Sequence, residues 1–357
     1  MVGDYRIKMI VSAAAVCGAC VLFSCAEEAP TEPPDTPPEP WGYWEEMDLP
    51  FTAVDVQALK RDLAGGTWAL AVENVDSSEW RILRYAGGAW RVEAGTDPAP
   101  MSVNNFFAVG PDDIWVVTMF CEILVWRGAA WEMVYEAPGE LWDICMVSAD
   151  EGWAVGEDGL VVHYKDGVFS EERLPPGATA YELVFSGPSD GWAIGSTGTL
   201  YHWDGASWDS IDPPIDVNGV QPLGGGACRA AGDRASYAAA GRYDGATWRY
   251  ELLPGTKAAV DVYFPRDDEG WLFCSAPRSL TRGGARVAKV LHSRDERWRV
   301  DELPFECSPL YYPVRAADGA LMCGGRQFEG DGVILRYVVY DVAQTRGKEA
   351  SAVAVGR

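Results

Sequence analysis

The stretch Ser189–Trp208, SDGWAIGSTGTLYHWDGASW, packs three strand signals into twenty residues. Trp192-Ala-Ile-Gly195 is a short apolar run stopped by Gly195 and Gly198, and Thr199-Leu-Tyr-His-Trp203 alternates and is rich in β-formers. Asp204-Gly205 then gives a short hairpin signal, since a type I′ turn needs positive φ at both central residues, and a further strand opens at Trp208. The unit recurs one period earlier as DEGWAVGEDGLVVHYKDGVF, Asp150 to Phe169, with the same Trp-x-x-Gly-x-x-Gly spacing and Asp166-Gly167 at the turn.

Looser copies surround Trp68, Trp115, Tyr237 and Trp271. The aromatic that opens each last strand sets the period: Trp44, Trp90, Trp131, Phe169, Trp208, Trp248 and Trp298, separated by 46, 41, 38, 39, 40 and 50 residues. Four-stranded propeller blades take roughly 40 to 50 residues. One such sheet cannot bury both faces, whereas blades stacked radially can.

Trp44-Glu-Glu-Met-Asp-Leu-Pro50 resembles the last strands at Trp248 and Trp298 but has no blade before it, and the final unit, from about Leu310 to Val342, lacks a following Trp strand. The expectation is an all-β, seven-bladed β-propeller over residues 41–344, closed by an N-terminal strand that completes the last blade. Six or eight blades stay open, because the fifth and seventh units are degenerate. Val54–Leu63 has helical character, but Ala53-Val-Asp-Val56 matches Ala259-Val-Asp-Val262 and is read as a first strand. Pro222–Ala231 reads as a loop-like stretch and Arg278–Ala288 as a basic insertion.

Residues 1–24 read as a targeting segment: Arg6 and Lys8 precede an apolar run, Met9–Ser24, of 16 residues. That is short for a membrane span, which needs about 20, and suits a signal sequence. Leu22-Phe-Ser-Cys25 resembles a bacterial lipobox, which implies lipidation of Cys25. Residues 25–40 read as a tether, since Ala26–Pro40 holds six prolines and five acids and cannot pack a core. The chain is thus expected to be exported and lipid-anchored in a bacterial cell envelope. With Ala26 after the cysteine, enterobacterial sorting rules would place it in the outer membrane, where the organism has one. Residues 345–357 read as a loose tail.

Without the signal the charge is 52 acids against 27 bases, since Asp4, Arg6 and Lys8 leave from totals of 53 and 29. A net of −25 repels polyanions and argues against nucleic acid as a partner. Six cysteines remain: Cys121, Cys145, Cys228, Cys274, Cys307 and Cys323. An even count in an exported chain suggests disulfides, Cys121–Cys145 first among them, with buried free thiols as the alternative. No Cys-x-x-Cys occurs among them, so a zinc site is not expected.

The pattern D-x-G-W-A-V-G-x-x-G followed by D-G-x-x-W resembles bacterial propeller repeats of the BNR and photosystem II assembly factor-like type. The resemblance implies the fold and leaves the function open, since such propellers include binding proteins, assembly factors and sialidases. The sialidase Asp-box, S-x-D-x-G-x-T-W, is not matched, because Gly follows Asp directly in Tyr243-Asp-Gly-Ala-Thr-Trp248.

One polar constellation stands out. Asn105, Asp143, Glu182 and Asp261 each lie ten residues before a second-strand Trp, and Asp55 lies thirteen before Trp68. On first strands they would recur at one height around the axis, where converging carboxylates could take Ca²⁺ or a cationic or sugar ligand; otherwise they line a wet channel. No other cofactor is indicated. The acids before each Trp (Asp113, Glu151, Asp190, Glu269) read as turn residues, the tryptophans as packing between blades, and His163, His202 and His292 as structural. The expected function is a non-catalytic binding or assembly module with a protein or glycan partner. The alternative is a glycan-active enzyme, a sialidase-like hydrolase or a lyase.

Overall fold

The computed structural model describes residues 8–11, 42–74, 79–95, 102–175, 179–196, 198–253, 256–277, 286–294, 297–327 and 331–339. The tether, Cys25 and the tail lie outside them, as do residues 278–285 of the basic insertion.

Alternation in each repeat produces a four-stranded antiparallel sheet, and seven such sheets form the ring. Blade one begins with Asp55–Arg61, so the helical alternative for this segment is not realised. The first strands of blades two to seven are Val103–Gly110, Leu141–Met146, Ala180–Gly187, Asp216–Gly224, Lys257–Arg266 and Tyr311–Arg315. Blade seven is closed from the N-terminal side. Gly42–Glu46 pairs antiparallel with Gly332–Val339, Trp44 opposite Tyr337. Trp44 is buried, and its Nε1 donates to Asp301 Oδ2 of blade six at 3.1 Å. Lys8–Val11 adds a fifth strand to the outer edge of blade five, along Trp248–Leu253.

Four of the second-strand tryptophans pack between blades, each against an aromatic on the third strand of the next blade. Ring centroids are 4.8 Å apart for Trp115–Tyr164, 5.8 Å for Trp153–Trp203, 6.2 Å for Trp192–Tyr243 and 5.2 Å for Trp271–Tyr337. Such pairs contribute about 0.5–1.5 kcal/mol each beyond their buried area.

Three local expectations are corrected. Pro222–Ala231 is not a loop: the first strand of blade five runs to Gly224 and the second starts at Ala227, with Gly224, Gly225 and Gly226 all at positive φ in the tight turn. Asp166-Gly167 forms the two-residue turn with φ of 50° and 83°, but Trp203 pairs with Trp208 across a four-residue loop. There Asp204 Oδ1 accepts the N–H groups of Ala206 (2.8 Å) and Ser207 (2.9 Å), which hold its carboxyl below the usual range. Finally, the six cysteines from Cys121 to Cys323 are free thiols. Cys145 sits beside the turn from first to second strand in blade three. Cys121 lies in the turn from second to third strand in blade two, at the opposite face of the ring. That separation excludes the Cys121–Cys145 bridge.

Candidate functional site

Every first strand carries a bulge at the same height. Register shifts fall at Val56/Ala58, Val103/Asn105, Leu141/Asp143, Ala180/Glu182, Val217/Gly219, Ala259/Asp261 and Tyr311/Val314. A bulge disrupts the ladder locally and re-aims the next side chain. The residue after each bulge forms a tier around the axis: Ala58, Asn105, Asp143, Glu182, Gly219 and Asp261 in blades one to six. All sit ten residues before the second-strand Trp or its equivalent, Arg229 in blade five.

Four of the five candidate residues are therefore in the tier, and Asp55 is not. Trp68 pairs with Lys60 at the same offset as Trp153 with Cys145, so the turn in blade one is no longer than the others and the tier position is Ala58. Asp55 lies opposite Val72, at the far end of its strand, where burial raises its carboxyl against the pull of Arg326.

The tier acids staple neighbouring blades. Asp143 Oδ1 accepts the N–H of Ile144 at 2.7 Å, and its Oδ2 accepts the N–H of Leu183 in the next blade at 2.9 Å. Asp261 accepts Val262 N–H at 2.7 Å and, from blade seven, Tyr312 N–H at 2.9 Å. Glu182 accepts from Val220 of blade five. Asn105 is buried with its Oδ1 on Phe106 N–H at 2.9 Å. Gly219 leaves room for this arrangement, since a Cβ there would come 2.8 Å from Asp261 Cα.

Asp143, Glu182 and Asp261 also line a funnel of about 630 Å³ that opens on the face carrying the first-to-second-strand turns. The sequence reading missed two of its residues. Lys60 reaches across the axis from blade one and pairs with Asp143, while also donating to Ile144 O at 3.1 Å. Tyr312 takes a φ of 55°, unusual for an aromatic residue, as it donates its N–H to Asp261. With Lys60 held by Asp143, the carboxyls of Glu182 and Asp261 share the rest of the floor. Burial raises Asp261 to about 7. Burial, then Asp261 and Asp143, push Glu182 well above the usual carboxylate range. No group of three or more His, Cys, Asp or Glu among the described residues is placed to hold a metal ion.

The acids two before each Trp do more than shape turns. Trp115 Nε1 donates to Asp113 at 3.0 Å and Trp192 Nε1 to Asp190 at 3.2 Å. The histidines stack on the same tryptophans, with centroids 4.3 Å apart for Trp153–His163, 4.6 Å for Trp192–His202 and 4.2 Å for Trp271–His292. Each also lies against its blade's acid, at 3.2 Å from Glu151, 2.8 Å from Asp190 and 3.4 Å from Glu269. Their reading as structural residues fits this packing.

No protein-family model matches the sequence, and no curated protein matches it. Among solved structures the chain is similar to YCF48 from Cyanidioschyzon merolae, with 14% identity and a TM-score of 0.58 over 83% of this chain and 98% of that one. It is similar to YCF48 bound to D1 peptide at 17% identity and a TM-score of 0.61, covering 86% and 97%. A catalytically inactive virginiamycin B lyase from Staphylococcus aureus with quinupristin shows 11% identity and a TM-score of 0.59, covering 83% and 99%. At these identities the likeness is one of fold. The chain is a seven-bladed β-propeller with a stapled, acid-floored axial funnel.

Proposed function

We propose that this propeller is a non-catalytic binding module whose funnel receives a segment of a partner protein, with a basic side chain of that segment resting on Glu182 and Asp261. The observation that carries this reading is the charge balance of the funnel floor. On the floor three carboxyls face one ammonium, Lys60, which is already paired with Asp143; Asp62 and the exposed Arg61 and Arg315 complete the charged lining. A cation brought by a ligand would relieve two acids that burial now disfavours as anions. A structural neighbour of the same fold, YCF48, is bound to a peptide, which supports a protein partner over a free ion.

The test is isothermal titration of the peptide Gly-Lys-Gly amide and its Nε-acetyl form. The free amine should bind more tightly by about 10- to 100-fold, the range of a charge-assisted hydrogen bond, and Glu182→Gln should remove the difference. Because the ligand needs ionised carboxyls, affinity should grow as pH rises through about 7, where Asp261 loses its proton, and grow again as Glu182, which burial and Asp261 hold well above the usual range, loses its own. Equal binding of the two peptides would sink the reading.

We further propose that the chain is exported and held to the envelope through Cys25, with residues 26–40 as the spacer. The motif Leu22-Phe-Ser-Cys25 and the proline-rich composition after it support this. Processing ahead of Cys25 would strip Lys8–Val11 from blade five and leave Trp248–Leu253 as its outer edge. In a bacterial host, the wild-type chain should sediment with membranes and Cys25→Ser should not; a soluble wild-type chain would reject the anchor.

A further inference from the structure

A second cavity, of about 360 Å³, lies between blades six and seven on the same face as the funnel and meets it at Tyr263 and Arg315. Its chemistry is the reverse of the funnel floor. Arg266, Arg315 and Arg336 contribute three guanidinium groups, against the carboxylates of Glu269 and Asp318. Those two acids are engaged. Glu269 is bonded to Arg266 and Arg294 and lies beside His292, and Asp318 accepts from Arg336 at 3.0 Å. Arg315 forms no ion pair among the described residues; its Nε donates to Gly319 O at 3.3 Å.

The wall also holds an unanswered donor. Trp271 is 4% exposed, and its indole N–H has no hydrogen-bond partner. In blades two and four the equivalent indole bonds the aspartate two residues before it. In blade six that residue is Glu269, one methylene longer and drawn onto the arginines and His292. Blade three has the same substitution, Glu151, and the same orphan N–H on Trp153. There, however, Phe185 and Trp203 of the next blade cover the ring, with centroids at 4.5 and 5.8 Å. Trp271 has Tyr337 of the next blade against its ring at 5.2 Å, but it also forms part of the cleft wall. A buried donor without an acceptor costs free energy until an acceptor arrives.

We infer that the cleft between blades six and seven is a binding subsite for a carboxylate, with Arg315 supplying the charge and the Trp271 indole N–H a directed hydrogen bond. A guanidinium and an N–H donor around one pocket suit a planar oxyanion, and an arginine fork meets such a group through two N–H bonds. Tyr263, Leu321 and Tyr337 give the cavity apolar walls that favour a carboxylate on an aromatic or aliphatic body over a bare inorganic ion.

Hippurate and its neutral amide, hippuramide, are the probes, titrated into the intact protein and followed by tryptophan fluorescence and calorimetry. Hippurate should bind at least about tenfold more tightly than the amide, and the preference should shrink as salt is added. Arg315→Gln, at an exposed side chain without an ion pair, should abolish the preference. Trp271→Phe should weaken hippurate several-fold and leave the amide unchanged. Asp318→Asn, which releases Arg336, should tighten hippurate, and this gain keeps the test decisive should Trp271→Phe fold poorly. Glu182→Gln should leave hippurate binding as in the wild type, which separates this subsite from the funnel floor. Equal affinities for acid and amide, no binding at millimolar probe, or an unchanged preference in Arg315→Gln would overturn the assignment.

Discussion

A chain shortened to begin at Met47 is expected to lose its cooperative unfolding transition. The shortening removes Gly42–Glu46, the fourth strand of blade seven, and leaves Gly332–Val339 as a bare edge; it also removes Lys8–Val11 from the outer edge of blade five, so a chain that begins at residue 12 is the control. Trp44 is the centre of the effect. It is 3% exposed, packs at 5.2 Å from Tyr337 and 6.0 Å from Phe273, and bonds Asp301 across the blade boundary. Truncating a buried Trp to Ala costs about 3–5 kcal/mol, and natural domains hold about 5–15 kcal/mol in total. Trp44→Ala alone should therefore lower the urea midpoint sharply, and the shortened chain should melt without a sharp midpoint. A Trp44→Ala variant within about 1 kcal/mol of the wild type would show that the ring does not depend on its closure strand.

The second large effect is expected at Asp143. Replacing it with Ala removes acceptors from Ile144 N–H and Leu183 N–H and takes the ion-pair partner from Lys60, whose side chain is 14% exposed. Breaking a buried pair on one side costs about 3–5 kcal/mol, because the other charge stays desolvated. Asp143→Asn should cost less, since its amide oxygen still accepts one N–H. The double variant Lys60→Met, Asp143→Ala should recover part of the loss, because the stranded ammonium is gone. Denaturant titration of the wild type, Asp143→Ala, Lys60→Met and the double variant measures this cycle. If Asp143→Ala and the double variant lose equal stability, the ion pair contributes nothing and the N–H staples carry the whole effect.

The parts of this molecule that are legible in sequence are those written locally. The Trp and Gly spacing and the Asp-Gly turns belong to the repeated unit, so they recur at a fixed period, and the strand at Trp44 is legible as one copy of a last strand with no blade before it, although its partner Gly332–Val339 is distant. The tier is legible for the same reason, as pairing of the first two strands fixes Asp143, Glu182 and Asp261 at ten residues before their Trp. Asp55 misleads because its spacing implies a longer turn in blade one, where the offset is in fact constant and Ala58 takes the place. Lys60 cannot be read at all: its partner is 83 residues away, across the ring axis, and no repeat encodes that meeting. The Cys121–Cys145 pairing fails because proximity in sequence says nothing about which face of the ring each thiol occupies.

Joining the first strand to the last also fixes an order of events. Gly42–Glu46 is made before any complete blade, yet its partner Gly332–Val339 is made only after the other six. Until that partner has been made the closing strand has nothing to pair with, and the ring cannot be completed by any nascent chain that stops before Gly332–Val339. Contacts so distant along the chain slow folding. Under the export proposed for this chain, that delay is an advantage, since a finished ring could form only after the last blade had crossed the membrane.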